Sequence, residues 1–98
     1  MLTHIVLFDP QPPFEPDELE RFMTEMAAFV ELPGVLESRV GKVVRGRPEE
    51  FAYAAVMRFA DMHDLEEVYI PHPIHMAFAP WIRERTRMHV FDFFEDEA

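Results

Sequence analysis

The sequence contains no cysteine. Disulfides, thiolate metal sites and a cysteine nucleophile are thereby excluded, and the composition fits an intracellular, cytoplasmic setting. Basic residues are scarce: nine Lys and Arg stand against 19 Asp and Glu, for a formal charge of −10. A body this acidic repels phosphate backbones and anionic membrane surfaces, so neither nucleic acid nor membrane is an expected partner. Glycine is limited to Gly34, Gly41 and Gly46, each isolated, and no phosphate-cradling loop is present. Ser38 is the only serine and has no base evident beside it, which removes a serine triad. The apolar runs are far too short to span a bilayer. The opening MLTHIVLFDP lacks the basic start and small-residue cleavage site of a signal peptide.

What is present is apolar. Of 98 residues, 49% are hydrophobic and 13% aromatic, enough to fill one core, and one domain over residues 1–98 is expected. Residues 3–9 (THIVLFD) read as a strand buried on both faces. Pro16, with Asp17, Glu18 and Glu20 after it, opens a helix. Its apolar stripe is Leu19, Phe22, Met23, Met26, Ala27 and Val30, and Leu32-Pro33-Gly34 stops it. Val35 to Val44 and Phe51 to Phe59 read as strands around a Gly46-Arg47-Pro48 turn. The alanines of FAYAAVMRF leave room on one face, either as a pocket floor or as the seat of a large neighbour such as Trp81 or Phe78. Asp61 caps a further helix. The prolines of Ile70-Pro71-His72-Pro73 end that helix near Tyr69 and restart it at Pro73, and Pro80 is expected to kink or restart it again. Arg87 to Phe94 is the last strand, and Glu95-Asp96-Glu97-Ala98 is a short acidic tail.

Strand, helix, strand, strand, split helix, strand is the βαββαβ order of a ferredoxin-like α+β plait, with helices on one face of an antiparallel sheet. The strands are apolar on both sides. A second copy of the chain is the expected cover for the other face, as a symmetric homodimer.

The segment with chemistry in it is Tyr69-Ile-Pro-His72-Pro-Ile-His75. On an unbroken helix Tyr69 and His75 would point about 240° apart. The prolines re-aim the second half and allow both side chains to converge on one cavity. At the start of a new helix, the partial positive charge favours neutral imidazole, the form that accepts a proton. A phenol stays protonated at neutral pH and donates a hydrogen bond to an oxyanion. His75 as base and Tyr69 as oxyanion donor make an enolising pair. The structural alternative is a core tyrosine beside a helix-start histidine. His4 shares its side of the first strand with Val6 and Phe8, either in the pocket or as a buried histidine bonded to backbone or water. His72 is placed to cap the new helix. His4, His72 and His75 lack HxH or HExxH spacing, so no metal is expected. Arg83, Glu84, Arg85 and Arg87 read as a solvated face.

THIVLF, Leu32-Pro33-Gly34-Val35, FAYAAVMRFAD, VYIPHPIHMAF and VFDFF together resemble the stress-responsive A/B barrel (Dabb) family over nearly the whole chain. The Tyr-x-x-His-Pro-x-His run is the most specific element. The resemblance implies a dimeric α+β barrel with a pocket between sheet and helices. It also implies kinship with plant polyketide cyclases of the olivetolic-acid-forming type, which run an intramolecular aldol condensation without metal or organic cofactor. Their catalytic Tyr and His fall on Tyr69 and His75, and a first-strand pocket histidine falls on His4. A third-strand pocket histidine falls near Tyr53, and a first-helix tyrosine near Glu25 or Met26, so the lining differs. The expected substrate-contacting set is His4, Met26, Tyr53, His72, Phe78 and Trp81. The ligand is expected to be a small apolar or aromatic carbonyl compound. A non-catalytic metabolite-binding protein and a monooxygenase-like member of the same superfamily are the competing readings.

Overall fold

A computed structural model describes residues 1–95; residues 96–98 of the acidic end lie outside the described residues. The elements are β1 (Leu2–Pro10), α1 (Pro16–Ala28), β2 (Glu37–Lys42), β3 (Tyr53–Phe59), α2 (Pro73–Arg83) and β4 (Thr86–Phe94). A tight 3-10 turn, Phe29–Glu31, follows α1, and a π-helical segment, Asp64–Tyr69, precedes α2. The sheet runs β2-β3-β1-β4 and every pairing is antiparallel. The fold is the ferredoxin-like α+β plait.

The pairings fix which side chains share a face. His4 lies opposite Met57 and Asp92, and Val6 opposite Ala55 and Val90. Leu2, Val6, Phe8, Ala55, Met57 and Phe59 point toward the helices and join Phe22, Met26 and Phe29 in the core. On the other face Ile5 pairs with Val56 and Phe91. Phe91 is 53% exposed and Phe93 47%. The expectation that β1 is buried on both faces therefore fails in the single chain, because the helices cover one side only. Ile5 and Leu7 are half-buried.

Two local details depart from the sequence reading. The turn after α1 tightens, which keeps Phe29, one three-residue step from Met26, in the core at 1% exposure and turns Val30 out at 45%. α2 neither ends nor restarts at Pro80 but runs on to Arg83. The proline removes the N–H that would have bonded the Met76 carbonyl, and both residues are exposed, so water can satisfy that oxygen. Of the acidic tail, Glu95 is tied down: its N–H donates to the Met1 carbonyl at 3.1 Å, and its carboxylate meets Arg58 at 3.0 Å.

Gly34 sets how close the turn after α1 comes to the π-helical segment. Its φ is +84°, and a Cβ there would stand 3.3 Å from Cβ of Asp64 and 3.4 Å from Cγ1 of Val68. Glycine meets both demands.

Candidate active site

A cavity of ≈ 290 Å³ opens between α2, the π-helical segment and the β1–β4 half of the sheet. Five of the residues singled out in the sequence line it: His4, Met26, Tyr69, His75 and Phe78. From β3 only Met57 reaches it. The alanine-rich strand is thus core rather than pocket floor, because the space sits over β1 and the edge strand β4.

The helix-side wall is built by the break in the helix. Asp61 Oδ1 accepts the Asp64 N–H at 2.9 Å and starts the π-helical segment. That segment closes with the Ile70 N–H donating to the Leu65 carbonyl at 3.0 Å, an i to i+5 bond that widens the turn. The wide turn buries Leu65 and Tyr69 together. His72 then leaves helical geometry with ψ 136°, and its Nδ1 accepts the Ile74 N–H at 3.1 Å. Pro73 follows at the first position of α2. This re-aiming sets the Tyr69 and His75 rings 4.5 Å apart between centroids.

Tyr69 is 4% exposed and packs against Phe29 and Phe59. Burial raises its pKa well above the usual phenol value, so the hydroxyl stays protonated. That hydroxyl bonds no described residue. The Nδ1–H of His75 donates to the Ile70 carbonyl at 2.8 Å. A carbonyl only accepts, so Nδ1 carries the proton and Nε2 carries the lone pair. Burial holds the His75 pKa below the ordinary histidine value, against the opposing pull of that hydrogen bond; the charges of Arg83 and His4 lower it further. The ring is neutral near pH 7 and presents an unprotonated nitrogen.

The strand-side wall adds a feature the sequence reading missed. His4 Nδ1 donates to Asp92 Oδ1 at 2.5 Å, across the β1–β4 pairing, and both residues line the cavity. The alternation of β4 from Met88 through Val90 to Asp92 could have shown it, since a carboxylate on that side faces the helices.

Three expected contacts lie elsewhere. His72 caps α2 and is not part of the lining. Tyr53 packs with Phe14 and Phe22 at the far end of the sheet face. Trp81 is stacked on Phe14, with the Arg21 and Arg85 guanidinium groups 4.4 and 4.7 Å from its ring. Among the described residues no group of three or more His, Asp or Glu side chains could hold a metal ion. Of the residues expected on a solvated face, Arg83, Glu84 and Arg87 are exposed and Arg85 is half-buried. Arg83 lines the cavity, Arg85 lies against Trp81 and pairs with Glu18 at 3.0 Å, and Arg87 pairs with Asp9 at 3.4 Å.

Fold and cavity define a ferredoxin-like α+β protein with a pocket between its sheet and its second helix. The chain belongs to the stress responsive A/B barrel domain family, whose model matches residues 2–95. None of the curated proteins matches it. Among solved structures, a hydroxynitrile lyase from Passiflora edulis is 16% identical with a TM-score of 0.86, the match covering 99% of this chain and 94% of that one. A dimeric ferredoxin-like protein from Jannaschia sp. is 27% identical with a TM-score of 0.74, covering 95% and 97%. SnoaB, a cofactor-independent oxygenase from Streptomyces nogalater, is 19% identical with a TM-score of 0.74, covering 99% and 94%. No helix among the described residues is long and apolar enough to cross a membrane.

Proposed function

We propose that the chain is a cofactor-free lyase or cyclase that removes a proton beside a carbonyl group. The observation that supports this most is the pairing of a neutral imidazole, its tautomer set by the Ile70 carbonyl, with a buried phenol whose hydroxyl is uncommitted, 4.5 Å apart between rings. His75 Nε2 takes the acidic C–H proton. The electron pair moves onto the carbonyl oxygen, and the Tyr69 O–H donates to the enolate so formed. The enolate carbon then attacks a second carbonyl of the same molecule. One carbon–carbon bond forms, and the new alkoxide takes the proton back from the His75 imidazolium. Product and substrate are isomers at this stage, and no oxidant or reductant enters. His4, held by Asp92, orients the substrate from the opposite wall.

The apolar lining from Val6, Met57, Phe78 and Met88 suits a small apolar or aromatic carbonyl compound, and a polyketide-like 1,3-dicarbonyl has the acidic C–H the pair requires. A volume of ≈ 290 Å³ lies just under the usual range for small-molecule sites, which begins near 300 Å³, and so restricts the ligand to a small molecule. The named activities of two fold relatives are in keeping. One is named a hydroxynitrile lyase and the other a cofactor-independent oxygenase.

The test is hydrogen–deuterium exchange at the α-carbon of 1,3-dicarbonyl compounds, followed by NMR in D2O. The wild-type protein accelerates exchange, and His75→Ala and Tyr69→Phe each lower it by more than about tenfold. A loss smaller than that in both variants refutes the assignment.

The working unit in this reading is a cytoplasmic homodimer, with one such domain in each chain. Its support is the exposed Phe91 and Phe93 beside Ile5 and Val56, together with the dimeric Jannaschia relative. Light scattering should give twice the 11.6 kDa chain mass, and Phe91→Asp should return it to the single-chain value.

A further inference from the structure

The chain has nine lysines and arginines, and six of the arginines are paired with a carboxylate: Arg21, Arg39, Arg47, Arg58, Arg85 and Arg87. In a protein this acidic, a cation left without a carboxylate is the exception. Lys42 and Arg45 are exposed at and just beyond the end of β2, the sheet edge opposite the cavity. Arg83 is the third. It has no ion pair or hydrogen bond to any described residue, and it lines the cavity.

Its position on α2 gives it a direction to work in. His75, Ala79 and Arg83 follow one another at four-residue steps, so they stand in a row on one side of the helix, and all three line the cavity. The row spans roughly 12 Å from first to last Cα. The middle residue is an alanine, which leaves a lane along the helix between the imidazole at one end and the guanidinium at the other. The two ends sense each other, since the Arg83 charge contributes to the low pKa of His75. Across the lane, Asp92 is occupied by His4.

A guanidinium offers a planar fork of N–H donors that matches a carboxylate, and it cannot deprotonate. We propose that Arg83 is a carboxylate anchor and that the ligand is an oxo acid, its carboxylate on Arg83 at the mouth and its carbonyl at Tyr69 and His75. This rests on reading the cavity as a proton-abstraction site, and it replaces an uncharged apolar ligand by one that carries an anionic group a few bonds from the enolisable carbon. Fixing the distant end in this way holds the acidic C–H against Nε2 of His75, and Arg83 acts as a specificity residue rather than a catalytic one.

The experiment compares 4-oxopentanoate and 4-oxo-4-phenylbutanoate with their methyl esters, by ligand-observed NMR titration and thermal shift on the full chain. Each acid should bind roughly tenfold tighter than its ester. Added salt should shrink that preference. Arg83→Gln should abolish it by weakening the acid far more than the ester, and Arg83→Lys should keep part of it. Lack of an acid preference in the wild-type protein, whether both forms bind alike or neither binds, overturns the proposal, as does a preference that survives in Arg83→Gln. Exchange at the α-carbon is scored in the same samples. Exchange without acid preference defeats the anchor alone; acid preference without exchange defeats the proton-abstraction reading and leaves the anchor standing.

Discussion

The two walls of the cavity hold their histidines by different partners. On the strand wall, the His4 ring is tied across the sheet to the Asp92 carboxylate. On the helix wall, the His75 ring is tied to the backbone carbonyl of Ile70. A carboxylate brings a full charge and fixes its histidine in place. A carbonyl sets the tautomer and leaves the charge of the ring to its surroundings, which here are apolar enough to keep it neutral. In the proposed reaction the difference divides the work: the helix wall would do the proton chemistry and the strand wall would position the substrate.

The sharpest way to break this contrast is to remove one histidine at a time. His75→Ala should lower α-carbon exchange by about 10²–10⁴-fold, the usual worth of a general base. His4→Ala should cost less than about tenfold in the maximal rate and act chiefly on the substrate concentration needed to reach it. Steady-state exchange kinetics across a substrate range checks both. A larger fall in the maximal rate for His4→Ala than for His75→Ala would exchange the two roles.

The walls also differ in how well the sequence announced them. The helix wall was legible because its determinants are local. Proline geometry at Pro71 and Pro73, the cap at His72 and the end of the preceding helix at Tyr69 all act over a few residues. What local rules missed there was the π-helical turn at Asp64–Tyr69, which needs one extra residue per turn and leaves no periodic signature in six residues. The strand wall was half legible. His4 was assigned to the correct face by simple alternation, but its partner stands 88 residues away and is brought near by the β1–β4 register. Register between distant strands is set by the whole sheet, and nothing in either strand alone states it. The same limit explains Tyr53 and Trp81. Both carry the aromatic character of pocket residues, and the plait uses them instead with Phe14 to close its far end. The element order and the helix-free face were readable throughout, since apolar alternation and turn residues suffice for them.

A smaller effect sharpens the contrast through pH, and its sign follows from the low pKa of His75. In the unfolded chain an imidazole takes up its proton near pH 6.5. In the folded chain burial holds the ring neutral to lower pH. Above about pH 6.5 neither state is protonated there, and the contribution to stability is fully present. As pH falls below that value the unfolded state binds more protons than the folded one, so stability is lost until the folded ring also titrates. Carboxylates across the protein add their own acid dependence, so the useful quantity is a difference. Urea unfolding of the wild-type protein and of His75→Gln between pH 8 and pH 5 should diverge only below about pH 6.5, with the wild type losing more. The exchange rate tests the same ring from the other side. If His75 is the base, the rate should stay level through pH 6.5 and decline only in more acidic solution, where the buried ring finally protonates. Parallel stability curves, or a rate that already falls at the ordinary histidine pKa, would mean that the helix wall does not keep its imidazole neutral, and the division of labour between the walls would fail with it.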